Sequence, residues 1–193
     1  WWFKWWWPLD VVASEYGDVT DDFESHTCIF INTSHHQNFS FDSPIIIEGD
    51  GYEAYAQLQD INGDGKLDIV TIRGSSWSKM NVYINTTQGN EVSFANKVII
   101  EDYVDPRPVF GDLNGDGKLD IVTIRGSSWS TMNVYINTSD GNNVSFEDKL
   151  IISNVSASEL DFADLNGDGM IDMVTTSYGS SYDNREVFVY SNN

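Results

Sequence analysis

The sequence holds one cysteine, four prolines and no apolar run near the roughly 20 residues that cross a bilayer as a helix. A single thiol, Cys28, excludes an internal disulfide framework. It lies in the apolar run 27–31, where a buried and inert sulfur is expected. Basic residues are scarce. Ten Lys and Arg face thirty Asp and Glu, for a formal charge of −20 and a pI near 4.1. So acidic a surface repels nucleic acid and anionic lipid, and excludes both as main partners. It suits a protein that collects cations. No window carries a 3.6-residue apolar period, so helix should be scarce. The three histidines, His26, His35 and His36, make no nucleophile–base set with Cys28 or a carboxylate. The chain is therefore not expected to be an enzyme. It begins at Trp1 with no visible leader, which suggests a processed form or an excerpt.

What is present is repetition. The 193 residues are 40% apolar and 13% aromatic, enough for one good core or for several repeats that share one. The fourteen residues 65–78 recur unchanged at 117–130. An acidic loop starts at Asp60, Asp112 and Asp164, a spacing of 52. A fixed period of this size points to propellers, solenoids or arrays. Within one period, residues 55–59, 68–72 and 81–85 read as strands, rich in β-branched and aromatic residues. Residues 92–94 with 97–100 read as a fourth, bent strand. Four short strands per ~50 residues make a propeller blade. The expectation is an all-β, β-propeller-like array over 1–193, with four-stranded blades at about 1–52, 53–104, 105–156 and 157–193. The last is cut short after a strand at 186–190, for about three and a half blades in all. Propellers usually have ~4–8 blades, so missing strands are expected from a longer chain or another subunit.

The three loops share one order of oxygen donors. They carry Asp60, Asn62, Asp64 and Asp68; Asp112, Asn114, Asp116 and Asp120; and Asp164, Asn166, Asp168 and Asp172. Positions one, three and five turn side-chain oxygens inward, position six is glycine for the sharp reversal, and position nine closes the shell with a carboxylate. Position seven, Lys66, Lys118 or Met170, offers only its backbone carbonyl, so its side chain is free to vary. Ca²⁺ takes six to eight such oxygens. Three calcium sites are expected. The bland alternative is three Asn/Asp-Gly turns that merely reverse the chain. Zinc is disfavoured, because no loop holds His or Cys. An EF-hand needs Glu at position twelve, where Thr71, Thr123 and Thr175 stand.

The stretch 111–122, followed by Val-Tyr-Ile-Asn at 134–137 and Val-Ser-Phe at 144–146, closely resembles FG-GAP/VCBS-type repeats. It looks like the calcium-binding blades of integrin α-chain propellers and of secreted adhesins and lectin-like proteins. The resemblance implies calcium loops between the first two strands of each blade, a mostly structural role for the metal, and an extracellular or cell-surface location. Aligned on Leu9-Asp10, the first repeat keeps only Asp10 of its ligand positions, so no calcium is expected there. The aromatic run 1–8 over that loop reads two ways, as a self-association surface or as a stretch of misassigned residues.

Asn-x-Ser/Thr triplets stand at Asn32, Asn38, Asn85, Asn137, Asn143 and Asn154. Three of them, Asn32, Asn85 and Asn137, fall at one point of successive repeats, just after the third strand. Such strand ends are expected to face solvent and to accept N-glycans. A repeat also copies any motif it contains. Trp77, Trp129 and Tyr182, set among serines between the second and third strands, could stack on a sugar ring, or could pack against the neighbouring blade. The functional expectation is an extracellular, calcium-stabilised structural or adhesion propeller, with itself or other extracellular proteins as partners and glycans as further candidates. One alternative is a lectin. Another is a non-catalytic propeller attached to a larger secreted enzyme.

Overall fold

The computed structural model describes residues 10–15, 26–35, 38–48, 53–73, 79–89, 91–101, 108–125, 131–153, 155, 159–178 and 185–192. Among them there are fourteen strands and no helix. The strands form four antiparallel sheets in chain order. Blade 1 is β1 (Val11–Glu15), β2 (His26–Phe30) and β3 (Ile45–Glu48). Blade 2 is β4 (Glu53–Gln59), β5 (Asp68–Arg73), β6 (Lys79–Tyr83) and β7 (Val98–Glu101). Blade 3 is β8 (Val109–Gly111), β9 (Asp120–Arg125), β10 (Thr131–Tyr135) and β11 (Leu150–Ser153). Blade 4 is β12 (Glu159–Ala163), β13 (Asp172–Tyr178) and β14 (Arg185–Tyr190). Each is a simple meander, with neighbours in sequence paired in space.

The strand content follows the residues. Asp68-Ile69-Val70-Thr71-Ile72 and its copy at 120–124 are β-branched runs that suit a pleated surface. Their apolar side chains do not alternate with solvent-facing ones. Val70 and Val82 bury one face of blade 2, and Ile69 and Tyr83 bury the other. Burial on both faces is what a sheet stacked between two neighbours requires. The outermost strands have fewer neighbours, and all of β11 is exposed. The fourth strand is shorter than the sequence suggests. Residues 92–94 continue the hairpin after β6 through isolated bridges, Asn85 to Phe94 and Gln88 to Glu91. Only Val98–Glu101 pairs with β6.

The core lies at the junctions between blades. Ile29, Val12 and Ile31 of blade 1 meet Ile69, Tyr83 and Phe94 of blade 2. Val70, Ile72, Met80, Val82 and Ile84 of blade 2 meet Ile121, Tyr135 and Phe146 of blade 3. Val122, Met132 and Val134 of blade 3 meet Phe162 and Met173 of blade 4. Each fully buried aliphatic side chain contributes roughly 1.5–3 kcal/mol, so the junctions carry much of the stability. The third is tight at Gly111, where an added Cβ would lie 2.7 Å from Ile171 Cδ1 and 2.9 Å from Phe162 Cδ2. Cys28 is buried, as its apolar surroundings suggest.

Candidate metal centres

The three acidic loops follow β4, β8 and β12 and lead into β5, β9 and β13. Each joins the first and second strands of its blade. In the first loop Gly63 and Gly65 hold φ of +73° and +84°, and the equivalent glycines of the other loops match them. Side chains rarely adopt such backbone, so positions four and six both call for glycine. The side chains at positions one, three and five then fold over the loop's own amides. Asp60 accepts from Asp64 N at 3.1 Å and from Gly65 N at 2.9 Å. Asn62 Oδ1 accepts from Asp64 N at 3.2 Å, and Asp64 Oδ1 from Lys66 N at 2.9 Å. The second loop repeats this with Asp112, Asn114 and Asp116. In the third, Asn166 and Asp168 do the same, while Asp164 accepts from Gly167 N and Gly169 N.

Position nine does something different. Asp68 is fully buried, and its two oxygens tie the loop to the third strand. Oδ2 accepts from Ile61 N and Oδ1 from Asn85 N, both at 2.8 Å. Asp120 takes Leu113 N and Asn137 N in the same way, and Asp172 takes Leu165 N and Asn192 N. Asp10 Oδ1 accepts from Asn32 N at 2.8 Å. Blade 1 thus keeps the position-nine aspartate that the alignment on Leu9-Asp10 picks out, while residues 1–9 lie outside the described ones.

Burial pushes the carboxyls of Asp68 and Asp120 above the usual range, and nearby carboxylates push the same way. For Asp68 the neighbour is Asp64; for Asp120 they are Asp116 and Asp112. At Asp64 the slight upward pull of burial is outweighed by the Lys66 amide and ammonium and by Asn62, so it sits below the usual range. Lys66 Nζ lies 3.2 Å from Asp64 Oδ2. In the other two loops the Asn114 and Asn166 amides reach the corresponding oxygen at 3.2 and 2.9 Å. Crowded carboxylates beside an amide and a backbone carbonyl are the oxygen donors that suit a hard divalent cation. A carboxylate offers about four lone-pair sites, so the amides leave acceptor capacity. Among the described residues no three His, Cys, Asp or Glu side chains gather into a metal cluster by themselves. A cation here would need Asn62 and the Lys66 carbonyl as well, or Asn114 with Lys118 and Asn166 with Met170.

Position two makes the loop a joint between blades. The Ile61 side chain is buried in the junction with blade 3, and its carbonyl accepts from Asn137 Nδ2 at 2.7 Å. Leu113 O accepts from Asn192 Nδ2 of blade 4 at 2.9 Å. Asn62 Nδ2 lies 3.5 Å from Asn142 Oδ1, again across to blade 3. The candidate ligands Asp60 and Asn62 therefore flank a residue that the next blade grips.

A model of the FG-GAP-like repeat matches residues 60–123 and 112–175. The chain belongs to the FG-GAP-like repeat family. Each match opens on the first Asp of one loop and ends just past the last Asp of the next, so the family unit spans the joint described above. No curated protein matches the chain. FG-GAP repeats are typical of extracellular proteins. No helix among the described residues is long and apolar enough to cross a membrane.

In these FG-GAP blades the recurrent triplets at Asn32, Asn85 and Asn137 have a structural use. Each Asn Oδ1 accepts from the amide two residues on, in Ser34, Thr87 and Ser139, at 2.9 Å. The hydroxyl of that residue accepts from the amide of Ser40, Ser93 or Ser145. The expected solvent-facing strand end is corrected at Asn137, which is fully buried. Its Nδ2, the atom that would carry a glycan, donates to Ile61 O and Leu119 O. Asn85 is half-buried, with Nδ2 donating to Leu67 O, and Asn32 is half-buried too. Asn38 and Asn143 are exposed. Asn154, Trp77, Trp129 and Tyr182 lie outside the described residues. The staple could have been found in sequence, since a Ser-Phe pair follows each of the three Asn at a constant offset of eight, at Ser40, Ser93 and Ser145. Thr71, Thr123 and Thr175, at loop position twelve, are buried strand residues and not metal donors of a helix.

Proposed function

We propose that the chain is an extracellular, calcium-stabilised structural module that serves adhesion or builds a surface assembly. The observation that supports this most is the threefold recurrence of one loop with three carboxylates, which in its first two copies stands beside a junction between blades. Bound Ca²⁺ would neutralise that charge. Asp60, Asn62, Asp64, Asp68 and the Lys66 carbonyl would hold it in the first loop, and their counterparts in the other two. The chain's own residues do the rest. Position nine fixes the loop to the third strand, and position two passes the loop's order to the next blade. Among the described residues no nucleophile–base set accompanies these loops, and we read the module as structural rather than enzymatic. N-glycans, where present, fit Asn38 and Asn143, which face solvent.

Thermal unfolding with and without a chelator tests this reading. A ligand that binds only the folded state at a hundredfold excess over its Kd stabilises by about 2.7 kcal/mol per site. Chelation should therefore lower the melting temperature by many degrees, and restored calcium, but not restored magnesium at equal concentration, should reverse it. Identical melting curves in both conditions would refute the calcium sites.

A further inference from the structure

Successive blades meet through the same register positions each time. On the trailing face of a blade a valine pairs with an aliphatic residue of the adjacent strand: Val12 with Ile29, Val70 with Val82, then Val122 with Val134. On the leading face of the next blade an aliphatic residue pairs with a tyrosine: Ile69 with Tyr83, Ile121 with Tyr135, then Met173 with Tyr190. A phenylalanine bridged to the sequon Asn stands beside the first two of these pairs, Phe94 and Phe146. These positions recur at both ends of the array, where no blade covers them among the described residues. On the trailing face of blade 4 the pair is Val174 with Val189. Val189 is 55% exposed and Val187 66%, whereas Val134 and Met132, at the same places in blade 3, are 7% and 1% exposed. Leu165, in the position of Ile61, is 54% exposed. On the leading face of blade 1 the pair is Val11 with Phe30, and Phe41 is bridged to Asn32. Val11 is 44% exposed and Phe41 45%. Phe30 and Phe41 already stand edge to face, 6.4 Å between centroids.

We propose that the trailing face of blade 4 seats the leading face of blade 1 from a second copy of this chain. The inference deepens the assembly half of the function proposed above and rests on it. Continuity with the internal junctions selects the occupant. The face offers the half-junction that blades 2 and 3 offer, and blade 1 carries the matching half, aliphatic and aromatic in the same register. The Leu165 carbonyl stands where Ile61 O and Leu113 O each take an Asn amide from the following blade. Asn32 holds in blade 1 the place of Asn137. Such a contact is head-to-tail. It closes into a ring if the rotation per copy allows, and otherwise runs on as a filament.

Sedimentation velocity of the 193-residue chain in millimolar calcium tests it. The wild type should associate, either into one closed ring of fixed size or into species that grow with concentration. Val189→Glu and Phe41→Glu each remove one half of the contact at an exposed side chain, so both should sediment as monomers with wild-type melting. Should Phe41→Glu melt early, Val11→Glu takes its place. An equimolar mixture of the tail-blocked and head-blocked variants retains one good tail and one good head. It should give dimers, twice the monomer mass, and stop there. A wild type that stays monomeric, a blocked variant that still associates, or a mixture that stays monomeric or grows past a dimer each overturns the proposal. Melting of the same samples with chelator reads the calcium sites separately. A monomer still destabilised by chelation would end the assembly inference and leave the calcium reading standing.

Discussion

The 60–68 loop and the 164–172 loop carry the same oxygen-bearing side chains in the same order, and position nine closes both in the same way. Ile61 N lies 2.8 Å from Asp68 Oδ2, and Leu165 N lies 3.0 Å from Asp172 Oδ2. They differ in what lies over them. Ile61 is buried under blade 3, and the Asn137 amide holds its carbonyl. Leu165 faces solvent. The loop conformation is thus a local property, set by two glycines and four polar side chains. Its coupling to the fold is a property of the junction, set by the neighbouring blade. A cation at the first loop would stiffen a joint between two blades, while one at the third would stiffen only its own blade until a further blade docks.

Truncation at position two puts the largest expected difference on that comparison. Ile61→Ala removes a fully buried side chain from a packed junction, where such changes cost roughly 2–5 kcal/mol. Leu165→Ala removes a solvent-facing one, where changes stay within about 0.5 kcal/mol. Urea unfolding of the isolated chain should show the first as a large fall in midpoint and the second as almost none. Equal effects would mean that the junction does not bear on the loop. At concentrations where copies associate, Leu165→Ala should begin to weaken assembly.

The next contrast is between the two asparagines that cross the junctions. Asn137 is fully buried, donates to Ile61 O and Leu119 O, and accepts from Ser139 N. Asn192 is half-buried and donates to Leu113 O. Leaving buried partners without a hydrogen bond costs about 1–3 kcal/mol each. Asn137→Ala should therefore lose about 3 kcal/mol, and Asn192→Ala about 1 kcal/mol. Mass spectrometry of material from a glycosylating host sharpens the point. Asn137 should be free of glycan, and Asn38 and Asn143 are where glycans should be found. Glycan at Asn137 would contradict the burial.

What the sequence made legible was mostly what repeats locally. The order of the loop's Asp and Asn side chains, the strand rhythm and the survival of Asp10 in blade 1 could be read from spacing, because each depends on residues within one repeat. The glycine at position four was there to be read as well, since Gly63, Gly115 and Gly167 recur with the same positive φ. The fate of Asn137 was not legible. Asn-x-Ser/Thr is both a glycan acceptor and a turn staple, and only the neighbouring blade decides which. For the same reason Ile61 and Leu165 look alike in sequence and differ in the fold. The short fourth strand was blurred by Val92 and Phe94, strand-forming residues in a segment that bridges back to Asn85 instead of pairing along β6.

The smallest effect concerns the part of the loop that the neighbour should not reach. Gly65 and Gly169 hold φ of +84° and +87°, and a Cβ added at either meets nothing within 4 Å. Alanine at these sites is strained only by its own backbone, by about 1–2 kcal/mol. Because that strain is local, Gly65→Ala and Gly169→Ala should destabilise the calcium-free protein equally, although one loop lies under a blade and the other does not. Thermal melts in chelator measure the pair directly. Unequal losses would show that the neighbouring blade constrains the loop as far as position six, and the division between a local loop and a junction-bound position two would have to be redrawn. Equal losses would confine the coupling to Ile61 and its carbonyl, between the candidate ligands Asp60 and Asn62 that flank it.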